Sequence, residues 1–126
     1  ESLAQYSALM VMEQEFGEEH MQRFLKYELD RYLSDRGGEL LEELPLLLVE
    51  NQPYIHYRKG SVNLYALKDY IGQDAVNRAL RHFISDYAFK GTPYPTSRHL
   101  VSYFREEAPP GIPTGYHRFI REDHTL

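Results

Sequence analysis

A chain without cysteine has no thiolate to offer a metal, which leaves imidazoles and carboxylates as the side chains for a zinc site, and this one carries six histidines and nineteen Asp and Glu residues. The histidines are His20, His56, His82, His99, His117 and His124. No two stand four apart on a helix, so the H-E-x-x-H zinc motif, which sets two imidazoles and a general base on one helical face, is absent. His82 and Asp86 have i,i+4 spacing and read as a solvated surface pair. His99, His117 and His124 read in the same way, as surface residues. No serine lies in a G-x-S-x-G or S-x-x-K context, and neither G-x-x-x-x-G-K nor G-x-G-x-x-G occurs. Spacing alone therefore excludes a self-contained zinc peptidase, a nucleophilic hydrolase and a phosphate-loop protein.

Composition narrows the class further. A length of 126 residues at 42% hydrophobic content suits a single domain, 1–126, with one core. The formal net charge of -5 lacks the clustered positive charge that nucleic-acid binding needs. Apolar runs such as Ala8 to Met12 and Leu44 to Val49 fall far short of the roughly 20 residues a bilayer span requires, so no membrane contact is expected from this chain. The chain has no initiating Met, signal-peptide pattern or basic leader, and Glu1 already lies in a helical pattern. Glu1 thus reads as a cut made in a longer protein, and the piece itself as soluble.

The elements that must position any chemistry are helices. ESLAQYSALMVMEQEF has no Gly or Pro, and its apolar residues between Ala8 and Met12 predict a helix buried on more than one face, ended by Gly17. Glu18 and Glu19 open a second helix whose stripe is Met21, Phe24, Leu25, Leu29, Tyr32 and Leu33, ending at Gly37 and Gly38. Pro45 and Pro53 bracket an ordered, partly buried connection, and Pro53 suits the first turn of a third helix that stops at Gly72. Asp74 suits the cap of a fourth helix with the stripe Ala75, Val76, Ala79, Leu80, Phe83, Ile84 and Tyr87. Thr96 or Ser97 can cap a fifth carrying Leu100, Val101 and Phe104, and Tyr116 to Glu122 allows two further turns. The fold class is all-α, about five helices in a bundle-like arrangement with short loops.

Two strings, ESLAQY at Glu1 to Tyr6 and YRKGSVNLYALKDYIG at Tyr57 to Gly72, resemble the aminopeptidase N family of gluzincin peptidases. In that family H-E-x-x-H is followed by a third zinc ligand in an N-E-G-x-A-x-Y context. ESLAQY is similar to the second half of that context, with Ser2 where Gly is usual, which implies that Glu1 is the distal zinc ligand. Y-R-K-G resembles the family's Y-x-K-G element, which implies that Tyr57 donates a hydrogen bond to the oxyanion formed at the scissile carbonyl. A phenol suits that task, being a strong donor that need not ligate the metal. Gly60 would let its helix approach a neighbour closely.

The resemblance runs from Glu1 to about Pro110 and is nearest to bacterial forms fused to an ABC-type transporter permease. It lacks H-E-x-x-H and the G-x-M-E-N loop. It therefore implies part of a zinc metallopeptidase, inactive alone, whose membrane-associated parent binds zinc and a peptide substrate. The chain itself is expected to bind no zinc tightly, and its partner is the remainder of the peptidase domain. The expected consequence is self-association through apolar surface around Leu9 to Met12 and beside Tyr57. The alternative is a helical interaction or peptide-binding module, regulatory on a transporter.

Overall fold

A computed structural model of the chain describes residues 1–44, 46, 48, 49 and 51–112. Five α-helices form: α1 (Ser2–Phe16), α2 (Met21–Gly38), α3 (Gly60–Ile71), α4 (Gln73–Tyr87) and α5 (Ser97–Glu107). A 3-10 turn, Glu18–His20, precedes α2, and a π-helical turn, Ile55–Lys59, runs into α3. No strand occurs among the described residues, and the fold is all-α. The expected turns at Tyr116 to Glu122, with His117 and His124, lie outside the described residues. The chain divides into two compact units, residues 1–66 and a second beginning at Leu67.

In the first unit Gly17 ends α1 at φ 89°, a conformation glycine adopts without steric cost, and its N–H bonds to the Glu13 carbonyl at 2.9 Å. The expectation that α1 is buried on more than one face is not met. Tyr6 and Leu9 are buried, Met10 and Met12 pack partly against the core, and Val11 is 65% exposed. A helix advances 3.6 residues per turn, so covering one stripe leaves the residue two places after Leu9 facing outward. Leu9, Met21 and Tyr65 form the centre of this core, flanked by Met10, Met12, Phe24 and Leu25.

The stripe expected on α2 also splits. Met21 and Tyr32 are buried, whereas Leu29 and Leu33 are exposed and Glu28 is buried in their place. Residues 21, 25, 28 and 32 follow a four-three-four spacing, so the inward line of this helix passes through a carboxylate. In the connection after α2, Val49 and Gln52 are buried while Leu40, Leu41, Leu44 and Leu48 are exposed.

In the second unit α4 and α5 pack together, with Ala75, Val76, Ala79, Val101 and Phe104 buried. Ile84, expected inside, is exposed. Asp74 is not the cap of α4: Gly72 holds that position at φ 92°, and Asp74 sits in the first turn, where its charge suits the helix dipole. Thr96 caps α5 with His99 as its capping-box partner, the Thr96 N–H donating to His99 Nδ1 at 2.8 Å. His82 and Asp86 do not form a surface pair with each other. Both side chains turn to α5, His82 Nδ1 lying 3.2 Å from Glu107 and Asp86 accepting from the Tyr103 hydroxyl at 2.5 Å. Arg78 completes the clasp on Glu107 at 2.7 Å.

Candidate functional site

Both residues singled out by the sequence, Glu1 and Tyr57, belong to the first unit. Tyr57 stands at the centre of the π-helical turn, and Glu1 is the N-cap of α1. The wider turn sends the Gly60 N–H to the Ile55 carbonyl, where an α-helix would aim it at His56. The His56 carbonyl accepts instead from Ser2 Oγ, at 2.6 Å. Glu1 and Tyr57 are each one residue removed from this bonded pair. One-turn π segments of this kind recur at functional sites.

Gly60 makes the approach of the two segments possible. A Cβ at this position would lie 2.2 Å from Ser2 Oγ and 2.8 Å from Ser2 Cβ. Gly60→Ala is therefore expected to destabilise the unit by about 1–2 kcal/mol, overpacking outweighing the roughly 1 kcal/mol that Ala gains over Gly in a helix. Ser2→Gly in the same chain should recover most of the loss, since it removes the clashing atoms. Chemical denaturation of the single and double variants checks this; equal loss in both would mean that Ser2 is not the obstacle.

The two residues after Tyr57 are tied down by carboxylates, one buried and one partly buried. Arg58 Nη1 donates to Glu28 Oε2 at 2.8 Å, while Gln5 Nε2 donates to the other oxygen, Oε1, at 2.7 Å. The Glu28 side chain is 5% exposed, so one buried carboxylate of α2 links the first turn of α1 to the π turn. The hydrogen bond from Arg58, which outweighs burial, raises the guanidinium pKa above its ordinary value. Lys59 pairs with Glu43, whose other oxygen accepts from the Tyr32 hydroxyl at 2.5 Å and lies 3.3 Å from Arg36 Nε.

Burial pushes the Glu43 carboxyl upward, but the hydrogen bonds of Lys59 and Tyr32 and the charges of Lys59 and Arg36 prevail and hold it below the usual carboxylate range. Burial, reinforced by Glu43, pushes the Tyr32 hydroxyl up and keeps it a donor. A carboxylate whose folded pKa is depressed contributes stability above its unfolded value of about 4.3, and that contribution is lost as pH falls through the folded value. Glu43→Gln should thus lower the melting temperature at pH 7 and make its decline between pH 5 and pH 3 shallower. Circular dichroism melts of both proteins check this, and parallel declines would remove Glu43 as the cause.

Tyr57 itself is 37% exposed, and no hydrogen bond within the described residues engages its hydroxyl. Glu1 is exposed, and its carboxylate makes no ion pair there. Among the described residues no three His, Asp or Glu side chains converge as metal ligands. Of the apolar surface expected around Leu9 to Met12, Val11 is 65% exposed, while Leu9 is 2% exposed and Met10 and Met12 pack partly on the core.

Sequence reasoning missed Glu28 and Glu43. The four-three-four spacing around Glu28 was the available signal for the first; Glu43 lies in an irregular segment and gave none. Among the described residues no helix is long and apolar enough to cross a membrane. No family model, curated protein or solved structure matches this chain.

Proposed function

We propose that this chain forms the helical wall of the cleft in a zinc-dependent aminopeptidase of the aminopeptidase N type, with Tyr57 as oxyanion donor and Glu1 as one zinc ligand. The observation that carries the reading is the bond between Ser2 Oγ and the His56 carbonyl, 2.6 Å, which brings the two quoted motifs together from opposite ends of the first unit. An oxyanion donor and a ligand of the metal must both reach one reacting carbonyl.

Tyr57 brings to this task a hydroxyl with no competing partner among the described residues, on a turn anchored at both following residues. A donor already aimed before the substrate arrives needs no reorganisation as negative charge develops. Zinc, when bound, polarises the carbonyl and activates water. Glu1 alone cannot retain it, so the other ligands come from an H-E-x-x-H helix in an adjoining segment of the parent, itself bacterial, membrane-associated and joined to a transporter permease. The substrate is a peptide attacked near its free amino end.

The coding sequence upstream of Glu1 and a peptidase assay test this together. The expected results are an H-E-x-x-H motif in frame and zinc-dependent release of nitroaniline from alanyl- and leucyl-p-nitroanilide by the full-length protein. Glu1→Ala should empty the zinc site of that protein, whereas a change at Tyr57 should leave it filled. A start codon in place of Glu1, or no hydrolysis by the zinc-loaded protein, would sink the reading. A second reading, a helical interaction module regulating a transporter, draws on the exposed Leu40, Leu41, Leu44 and Leu48. Those same two negative results would favour it.

A further inference from the structure

The aminopeptidase reading gives Tyr57 a task but not the means of holding it, and the structure carries an inference about that means. We infer that Glu28 is a positioning residue, which sets the turn bearing Tyr57 against the first turn of α1 by bridging Arg58 and Gln5. The inference rests on the proposed function only for the task it assigns to Tyr57.

The geometry behind it is specific. Glu28 uses one oxygen for Arg58, at 2.8 Å, and the other for Gln5, at 2.7 Å, so each partner fixes a different side of the carboxylate. Arg58 is the residue immediately after Tyr57, and Gln5 is one helical turn after Glu1, its N–H bonding to the Glu1 carbonyl at 3.0 Å. A displacement of the Glu28 carboxyl therefore reaches both candidate functional residues through one covalent neighbour or one backbone hydrogen bond.

Burial makes the bridge stiff. A carboxylate 5% exposed cannot exchange its partners for water without a desolvation cost, which a surface pair such as Lys26 with Asp30 does not face. The Arg58 guanidinium also lies over the Tyr27 ring, 5.8 Å from its centroid, which limits how far it can swing. On the far side of the turn, Lys59 with Glu43 supplies a second tether. The Ser2 bond to His56 fixes only the backbone. What orients the Tyr57 ring is the conformation of residues 57–59, which the two carboxylates hold.

The test uses Glu28→Gln, which keeps the shape and one acceptor while weakening the bond to Arg58. In the full-length zinc-loaded protein, kcat should fall about 10- to 100-fold with KM little changed, the order expected when a reacting group is misplaced by about 1 Å. In a Tyr57→Phe background the same substitution should cost much less, because the hydroxyl it positions is already gone and only the path through Gln5 to Glu1 remains. Full turnover in Glu28→Gln, or a loss of equal size in the Tyr57→Phe background, overturns the inference.

An independent measurement needs no activity. In the chain labelled with 13C-tyrosine, the Tyr57 ring signals, identified by their loss in Tyr57→Phe, should shift or split in Glu28→Gln; unchanged signals overturn the inference. A wild-type protein without peptidase activity would defeat the proposed function, while the ring signals would still decide for or against Glu28. If Glu28→Gln melts below the assay temperature, Gln5→Met breaks the same bridge from its other end without stranding a charge. It should move the ring signals in the same way, and a fixed spectrum there counts against the inference equally.

Discussion

On the aminopeptidase function proposed above, Tyr57→Phe in the full-length protein is expected to lower turnover by about 100- to 1000-fold while leaving zinc content and melting temperature nearly unchanged. The size follows from removing one preorganised donor to a developing oxyanion, roughly 3–4 kcal/mol of transition-state stabilisation. The selectivity follows from the surroundings of the side chain. The ring is partly exposed and its hydroxyl has no partner among the described residues, so its loss leaves no buried group unsatisfied. Stability should therefore report almost nothing and kcat almost everything, with KM close to wild type. Steady-state kinetics alongside metal analysis and a thermal melt check this. Full activity with zinc bound would show that Y-R-K-G does not correspond to the catalytic element, and the functional reading would lose its main residue.

The largest effect on stability is expected from Arg58→Met. Arg58 is the ionic partner of Glu28, and removing it strands a carboxylate that is 5% exposed with only Gln5 as a donor. Losing one partner of a buried pair costs about 3–5 kcal/mol, and the partial exposure of Arg58 argues for the lower end, about 3 kcal/mol. In a unit of this size that corresponds to a fall of roughly 12–24 °C in melting temperature. The double variant Glu28→Leu with Arg58→Met should regain most of the loss, since it removes the stranded charge and fills the space with apolar groups. Calorimetric melts of the single and double variants measure both terms. A single variant as stable as wild type would mean that Glu28 reaches water more readily than its burial indicates.

Periodicity was enough to place the helices. Gly17 and Gly72 end α1 and α3 at positive φ, Pro53 opens the helical segment before α3, and Thr96 caps α5, each by local chemistry that does not depend on distant contacts. The need for a small residue at position 60 was likewise legible. The side of each helix that is covered was not. Val11 and Ile84 are apolar yet exposed, and Glu28 is charged yet buried, because burial depends on which surface a neighbour covers and not on the residue alone.

The candidate site divides in the same way. Sequence determined the residue types, Glu1 and Tyr57, and their order. Only the tertiary structure placed the starts of α1 and the π turn together, through Ser2 and the His56 carbonyl. It also decided that Arg58 and Lys59 serve carboxylates 30 and 16 residues away in the chain, the first buried and the second partly so. A carboxylate accepts from any donor that reaches it, so spacing along the chain carries no record of such partners. The choice is made by packing, which leaves Glu28 and Glu43 little water and makes these pairings the means of satisfying them.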